Sequence, residues 1–195
     1  MPDFCSTGKL YRLGLFITIR AIQIVRGVQY IHSQGIVHLD LKPFNIMFAN
    51  PMDDYNLRII DFGLAEQLKT GENQVIINMC GTLEFMSPEV MDCKFASAAS
   101  GKLRRVFSKS ALQQATFSDM WGVGVIAYLL VSGGQSPFWG GNRYRTMAKT
   151  LSCDYTMDLP NFEHISENGK DFISKLLMLN PKVKSQKLFS SELCY

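Results

Sequence analysis

His38-Leu39-Asp40-Leu41-Lys42-Pro43-Phe44-Asn45 is the stretch on which the reading of this chain turns. It sets an imidazole, a carboxylate, an ammonium and a carboxamide close together. Pro43 stops a helix from running through it, so these polar groups belong to a loop. Upstream, apolar residues fall at Ile17, Ala21, Ile24, Val28 and Ile31, with Val25 beside them. That spacing predicts a helix, with Gly35 placed to end it. Downstream, residues 46–48 and 57–60 read as short strands. Asn50-Pro51-Met52-Asp53-Asp54 is the turn between them, so a hairpin follows the loop and runs into Asp61-Phe62-Gly63.

Further from this centre, residues 1–16 read as irregular and 63–81 as mostly polar loop. Ser87-Pro88-Glu89 opens a helix, with Ser as N-cap, Pro at the first position and an acid in the first turn. Residues 119–132 are strongly apolar and predict a helix buried on all sides. Further helices are expected over 142–151 and 166–179. The expected fold class is mainly α with a small β-hairpin.

Composition narrows the function classes. The 195 residues are 47% apolar, enough for one domain with a core. A net charge of +3 is too small to argue for nucleic acid or an anionic membrane surface. The longest apolar run, 121–131, is too short to span a bilayer. The run 13–19 stops at Arg20 with no small-residue cleavage site, so it is not a signal peptide. The five cysteines, Cys5, Cys80, Cys93, Cys153 and Cys194, are scattered without CxxC spacing, and the three histidines show no ligand pattern. Reduced thiols and a cytoplasmic location follow, with neither a disulfide scaffold nor a zinc site.

Three strings in order, residues 38–45, Asp61-Phe62-Gly63, and Gly81-Thr82 through Ser87-Pro88-Glu89, resemble the catalytic loop, magnesium loop and activation-segment end of eukaryotic protein kinases. The resemblance runs from about residue 22 to 179, and Lys42-Pro43 with Asn45 is the serine/threonine form. Leu39 where the family usually has Arg, the string Ile59-Ile60-Asp61-Phe62-Gly63-Leu64-Ala65, and the stretch from Ser152 to Ile173 are similar to the myosin light chain kinase and titin/twitchin branch. The resemblance implies ATP and Mg2+ as cofactors and a protein substrate. Regulation of calmodulin type, through segments absent here, is a further implication.

Roles follow position by position. The resemblance makes Asp40 the carboxylate that receives the substrate hydroxyl's proton, and Lys42 the cation near the transferring phosphate. It makes Asn45 and Asp61 the oxygen ligands of magnesium. His38, Phe62, Gly63, Glu89 and Asp119 become structural supports, with Phe62 packed inward. Asp119 is expected to brace the catalytic loop's backbone, to be a plain acid at a helix start, or both.

The sequence departs from the family in three places. Nothing before residue 17 resembles a small lobe, because a glycine-rich phosphate loop, a strand lysine and its helix glutamate are all missing. The expectation is therefore a partial kinase domain over 17–184, a C-lobe with its small N-lobe absent, and a divergent tail at 185–195. Second, no Arg follows Arg145 to pair with Glu89. Lys182 or Lys184 would substitute without the bidentate fork, and a buried unpaired carboxylate costs about 3–5 kcal/mol. Third, residues 101–118 look inserted. They read as a solvated basic loop, as a phosphorylation site at Arg105-Val106-Phe107-Ser108, or as translated splice-junction sequence. With Leu39 in place of Arg, the catalytic loop has no ready partner for a phosphate on Thr70 or Thr82. The function implied is phosphoryl transfer from ATP to protein serine or threonine. The alternative is a pseudokinase-like or truncated lobe that binds protein without catalysis.

Overall fold

Helix α3 (Ala111–Ser132) is the element around which the others are arranged. It belongs to a computed structural model that describes residues 7–50, 53–67, 74–78, 82–91, 95–97, 103–108 and 111–179. Phe117, Trp121, Val123, Val125, Ile126, Ala127, Tyr128 and Val131 are all buried. A helix apolar on every face has to be enclosed by its neighbours, and two clusters enclose it. On one side Val123 and Ile126 pack with Ile24 and Val28 of α1 (Thr7–Ser33), with Leu41, and with Leu176 of α5 (Glu167–Leu176). On the other, Trp121, Val125 and Tyr128 meet Phe138, Phe162, Ile173 and Leu177. Trp121 stacks on Phe138 with ring centroids 5.1 Å apart. Fully burying a side chain of this size contributes about 1.5–3 kcal/mol.

The helix α4 (Arg143–Ser152) starts at Asn142, whose Oδ1 accepts the Arg145 N–H at 3.0 Å. Ser166 caps α5 through the Gly169 N–H at 3.2 Å. The short α2 (Pro88–Met91) begins at Pro88, as its sequence required. The first helix, however, starts at Thr7, well inside the segment expected to be irregular. Leu10 and Leu13 extend the three-and-four spacing of Ile17, Ala21 and Ile24 backwards, which carries the helical stripe to that point. Gly35, at φ 70°, follows its end.

Strands β1 (Ile36–Val37) and β4 (Glu66–Gln67) pair antiparallel, so the segment after Asp61-Phe62-Gly63 returns to the start of the catalytic loop. The expected hairpin is β2 (Ile46–Asn50) and β3 (Asp53–Ile59), with Ile46 opposite Ile59. A third sheet was not expected. In it β7 (Leu103–Ser108) lies between β5 (Gln74–Asn78) and β6 (Phe95–Ser97). The basic stretch 103–108 is therefore strand rather than open loop, and 111–118 is the first part of α3. The runs Val75-Ile76-Ile77 and Val106-Phe107 are strand formers, but their pairing joins residues about thirty apart in sequence.

The Cys153 thiol donates to the Leu177 carbonyl at 3.0 Å. Burial, followed by the neighbouring Cys153 and Tyr128, pushes the Tyr155 hydroxyl up to about 12. No helix among the described residues is long and apolar enough to cross a membrane.

Candidate active site

The loop after β1 takes its shape from one buried carboxylate. Asp119 is 1% exposed. Its Oδ2 accepts the His38 backbone N–H at 2.8 Å, and its Oδ1 accepts the Leu39 N–H at 2.7 Å. His32 Nε2 at the end of α1 donates to Oδ2 at 2.8 Å. Asp119 thus ties α1, the catalytic loop and α3 together. It does so from inside α3, since the helix starts at Ala111, and this removes the reading of Asp119 as an acid at a helix start. Nothing in the order of residues points to the His32 contact, because His32 and Asp119 are 87 positions apart.

Leu39 has φ 66° and Asp61 φ 62°. A left-handed conformation costs a non-glycine residue about 1–2 kcal/mol, and such residues concentrate where surrounding bonds over-determine the backbone. At Leu39 the restraint is the Asp119 carboxylate. Close packing adds to it: a Cβ placed on Gly122 of α3 would lie 3.0 Å from Leu41 Cβ and 3.1 Å from the Leu41 carbonyl oxygen.

His38 is fully buried. Its Nδ1 accepts the Asp40 N–H at 3.3 Å, which assigns the ring proton to Nε2, and Nε2 donates to the Ile60 carbonyl at 3.1 Å. Phe62 lies 5.0 Å from the His38 ring. It was expected to pack inward, yet it is 44% exposed.

The polar groups of residues 38–45 converge on Asp40. Its Oδ2 accepts from Lys42 Nζ at 2.6 Å and from Asn45 Nδ2 at 3.1 Å. Asn45 Nδ2 also donates to the Asp40 carbonyl at 2.8 Å. Asp40 is 8% exposed, and its Oδ1 is shielded from solvent with no hydrogen-bond partner among the described residues. Pro43–Asn45 is a single 3-10 turn that swings Asn45 back onto Asp40.

Asn45 is joined to the Asp61-Phe62-Gly63 string through the hairpin, as its carbonyl accepts the Ile60 N–H at 2.9 Å. Asp61, next in sequence, is exposed, and its Oδ1 accepts the Gly63 N–H at 3.2 Å. Four of the expected residues, Asp40, Lys42, Asn45 and Asp61, are therefore brought to one end of the hairpin. Among the described residues no cluster of three or more His, Cys, Asp or Glu side chains offers a complete metal cage. The donors present are hard oxygens, of the kind a divalent cation such as magnesium takes. Asn45 has its amide nitrogen committed and its Oδ1 remaining, and Asp61 supplies a carboxylate.

Glu89 lies in α2, with both carboxylate oxygens shielded from solvent. Lys182 and Lys184, the cations expected to meet it, lie outside the described residues, as do Thr70 and Gly81. Sequence reasoning also missed a large cleft of about 970 Å³ beside Lys42, Pro43 and Phe44, to which α1, the hairpin and α3 all contribute.

Comparison with known proteins agrees with this geometry. The protein kinase domain family matches residues 17–187. Myosin light chain kinase family member 4 from Mus musculus is 41% identical over 170 residues, which is 87% of this chain and 38% of that protein. Myosin light chain kinase 3 from Danio rerio is 43% identical over 156 residues, 80% of this chain and 19% of that protein. The chain thus spans well under half the length of these relatives. Among solved structures, the twitchin kinase region from C. elegans superposes with a TM-score of 0.69 and 38% identity, over 86% of this chain and 26% of that one. With its loop, hairpin and buried helix in the family's order and its sequence matched over 17–187, the chain belongs to the protein kinase domain family, in its myosin light chain kinase and twitchin branch.

Proposed function

We propose that these residues form the phosphoacceptor and metal-binding side of a serine/threonine kinase, which transfers the γ-phosphate of ATP to a protein hydroxyl. The observation that carries this reading is Asp40, more than nine-tenths buried, held at Oδ2 by Lys42 and Asn45, with Oδ1 unsatisfied. A shielded acceptor in this state costs about 1–3 kcal/mol, and a donated hydroxyl proton relieves that cost.

The substrate hydroxyl oxygen attacks the γ-phosphorus. The bond to the β–γ bridging oxygen breaks with its electron pair going to ADP, and the hydroxyl proton goes to Asp40 Oδ1. Lys42, which here rests on Asp40, would supply the cation for the transferring phosphate. Asn45 Oδ1 and Asp61 would hold magnesium, which when bound neutralises phosphate charge. The N–H groups of His38 and Leu39 on Asp119 keep the Asp40 backbone in place throughout.

Two ligands on one surface hold MgATP weakly, because magnesium gives up its waters reluctantly. Calorimetry on a polypeptide of these 195 residues is expected to show MgATP affinity no better than about millimolar, roughly 4 kcal/mol. Joined to the small lobe of a relative, the chain is expected to transfer radiolabelled phosphate to a serine or threonine peptide. Asp40→Asn should then abolish transfer while leaving nucleotide affinity nearly unchanged, since Asp40 meets the hydroxyl and not the metal. Micromolar binding by the 195-residue polypeptide refutes the weak-site reading, and full activity of Asp40→Asn removes Asp40 from its role.

A further inference from the structure

The cleft of about 970 Å³ beside the catalytic loop is mostly apolar, with Phe44, Ile24, Leu57 and Leu129 in its lining. Phe44 is 87% exposed. A large aromatic side chain held open to water beside an apolar hollow leaves hydrophobic area uncovered and marks a binding surface. The charges around the cleft do not favour one sign: Lys42 is held by Asp40, which leaves Arg20 as the cation against Glu84 as the anion in the lining.

Continuity with the reacting groups identifies the occupant. Lys42 lines the cleft and also holds Asp40 at 2.6 Å, and Phe44 is the next residue but one. A peptide whose hydroxyl reaches Asp40 therefore runs past Phe44 within a few residues. We propose that Phe44 is a specificity-determining residue: the cleft receives a large aliphatic or aromatic side chain flanking the phosphoacceptor serine or threonine, and it disfavours a charged side chain at that place. A charged group pressed against the apolar part of this lining, beside Phe44, Ile24, Leu57 and Leu129, loses hydration without gaining a partner. The inference rests on the kinase reading of the same site.

The test is binding rather than turnover. Short fluorescent peptides with one serine, differing only in a single flanking residue set to Leu, Arg or Glu at each position in turn, are titrated by anisotropy against the 195-residue chain. At one flanking position the leucine peptide is expected to bind about tenfold tighter than the arginine and glutamate peptides. Phe44→Glu should erase that preference and Phe44→Leu should retain it; at so exposed a position neither change disturbs folding, which circular dichroism verifies. A photoreactive leucine at the preferred position should crosslink within residues 42–48 or 126–134.

No leucine preference at any position, absence of measurable binding, or a preference that survives Phe44→Glu overturns the proposal. So does crosslinking elsewhere, or sedimentation showing that a second copy of the chain fills the cleft. The two readings fail separately. Leucine preference without phosphate transfer, once a small lobe is joined, sinks the catalytic reading alone. Transfer without the preference sinks only the role of Phe44.

Discussion

Replacing Asp119 probes the contact that joins the catalytic loop to the core. In Asp119→Ala the N–H groups of His38 and Leu39 and the Nε2–H of His32 all lose their acceptor. His38 is fully buried, so water does not replace the lost bond. Each orphaned buried donor costs about 1–3 kcal/mol. Release of Leu39 from its left-handed conformation returns about 1 kcal/mol. The net expectation is a loss of about 3–5 kcal/mol, a large part of the 5–15 kcal/mol that holds a typical domain. Asp119→Asn keeps one acceptor but sets an amide NH2 against a backbone N–H, for an expected loss of about 2–3 kcal/mol. His32→Ala removes a single bond, at about 1 kcal/mol.

Urea unfolding followed by circular dichroism gives the three values. With a slope near 2 kcal/mol per molar, the alanine variant should shift the midpoint by about 1.5–2.5 M and the asparagine variant by about 1–1.5 M. Amide exchange at His38 and Leu39 should accelerate in both Asp119 variants and much less in His32→Ala. A midpoint shift under about 0.5 M for Asp119→Ala, with exchange at these two amides unchanged, refutes the argument that this carboxylate sets the loop.

Other expectations follow from single contacts. Gly122→Val drives a side chain into Leu41, where even a Cβ would sit 3.1 Å from the carbonyl oxygen, and should cost about 1–3 kcal/mol in the same urea assay; a neutral result means the loop yields freely. Gly35→Ala, at φ 70°, should cost about 1 kcal/mol, while Gln34→Ala nearby should change little. Tyr155 keeps its proton up to about 12 in the folded chain against 10 when unfolded, so stability is full below pH 10 and declines as pH rises to 12. After allowance for its partial exposure the decline is about 1 kcal/mol, and unfolding titrations of Tyr155→Phe should show a flatter curve over that window.

Local chemistry was legible in the residues themselves. The spacing of Ala21, Ile24, Val28 and Ile31, the helices expected from Asn142 and from Ser166, the helix-opening Ser87-Pro88, and the paired strands expected after the loop all depend on neighbours within a few positions, so the sequence by itself determined those elements. It also determined the order of the catalytic strings and hence the family. Contacts between distant residues were not legible. The start of α1 at Thr7 and of α3 at Ala111 moved the expected boundaries, and the strand at 103–108 exists only because residues 74–78 and 95–97 come to its two edges. His32 and Phe44 were passed over for the same reason. An imidazole has no meaning as a support until folding delivers the Asp119 carboxylate to it. Nor does an exposed phenylalanine mark a cleft until α1, the hairpin and α3 close around the space beside it. Burial, left-handed backbone and unsatisfied acceptors belong to whole assemblies of residues, and those were the properties that only the tertiary structure decided.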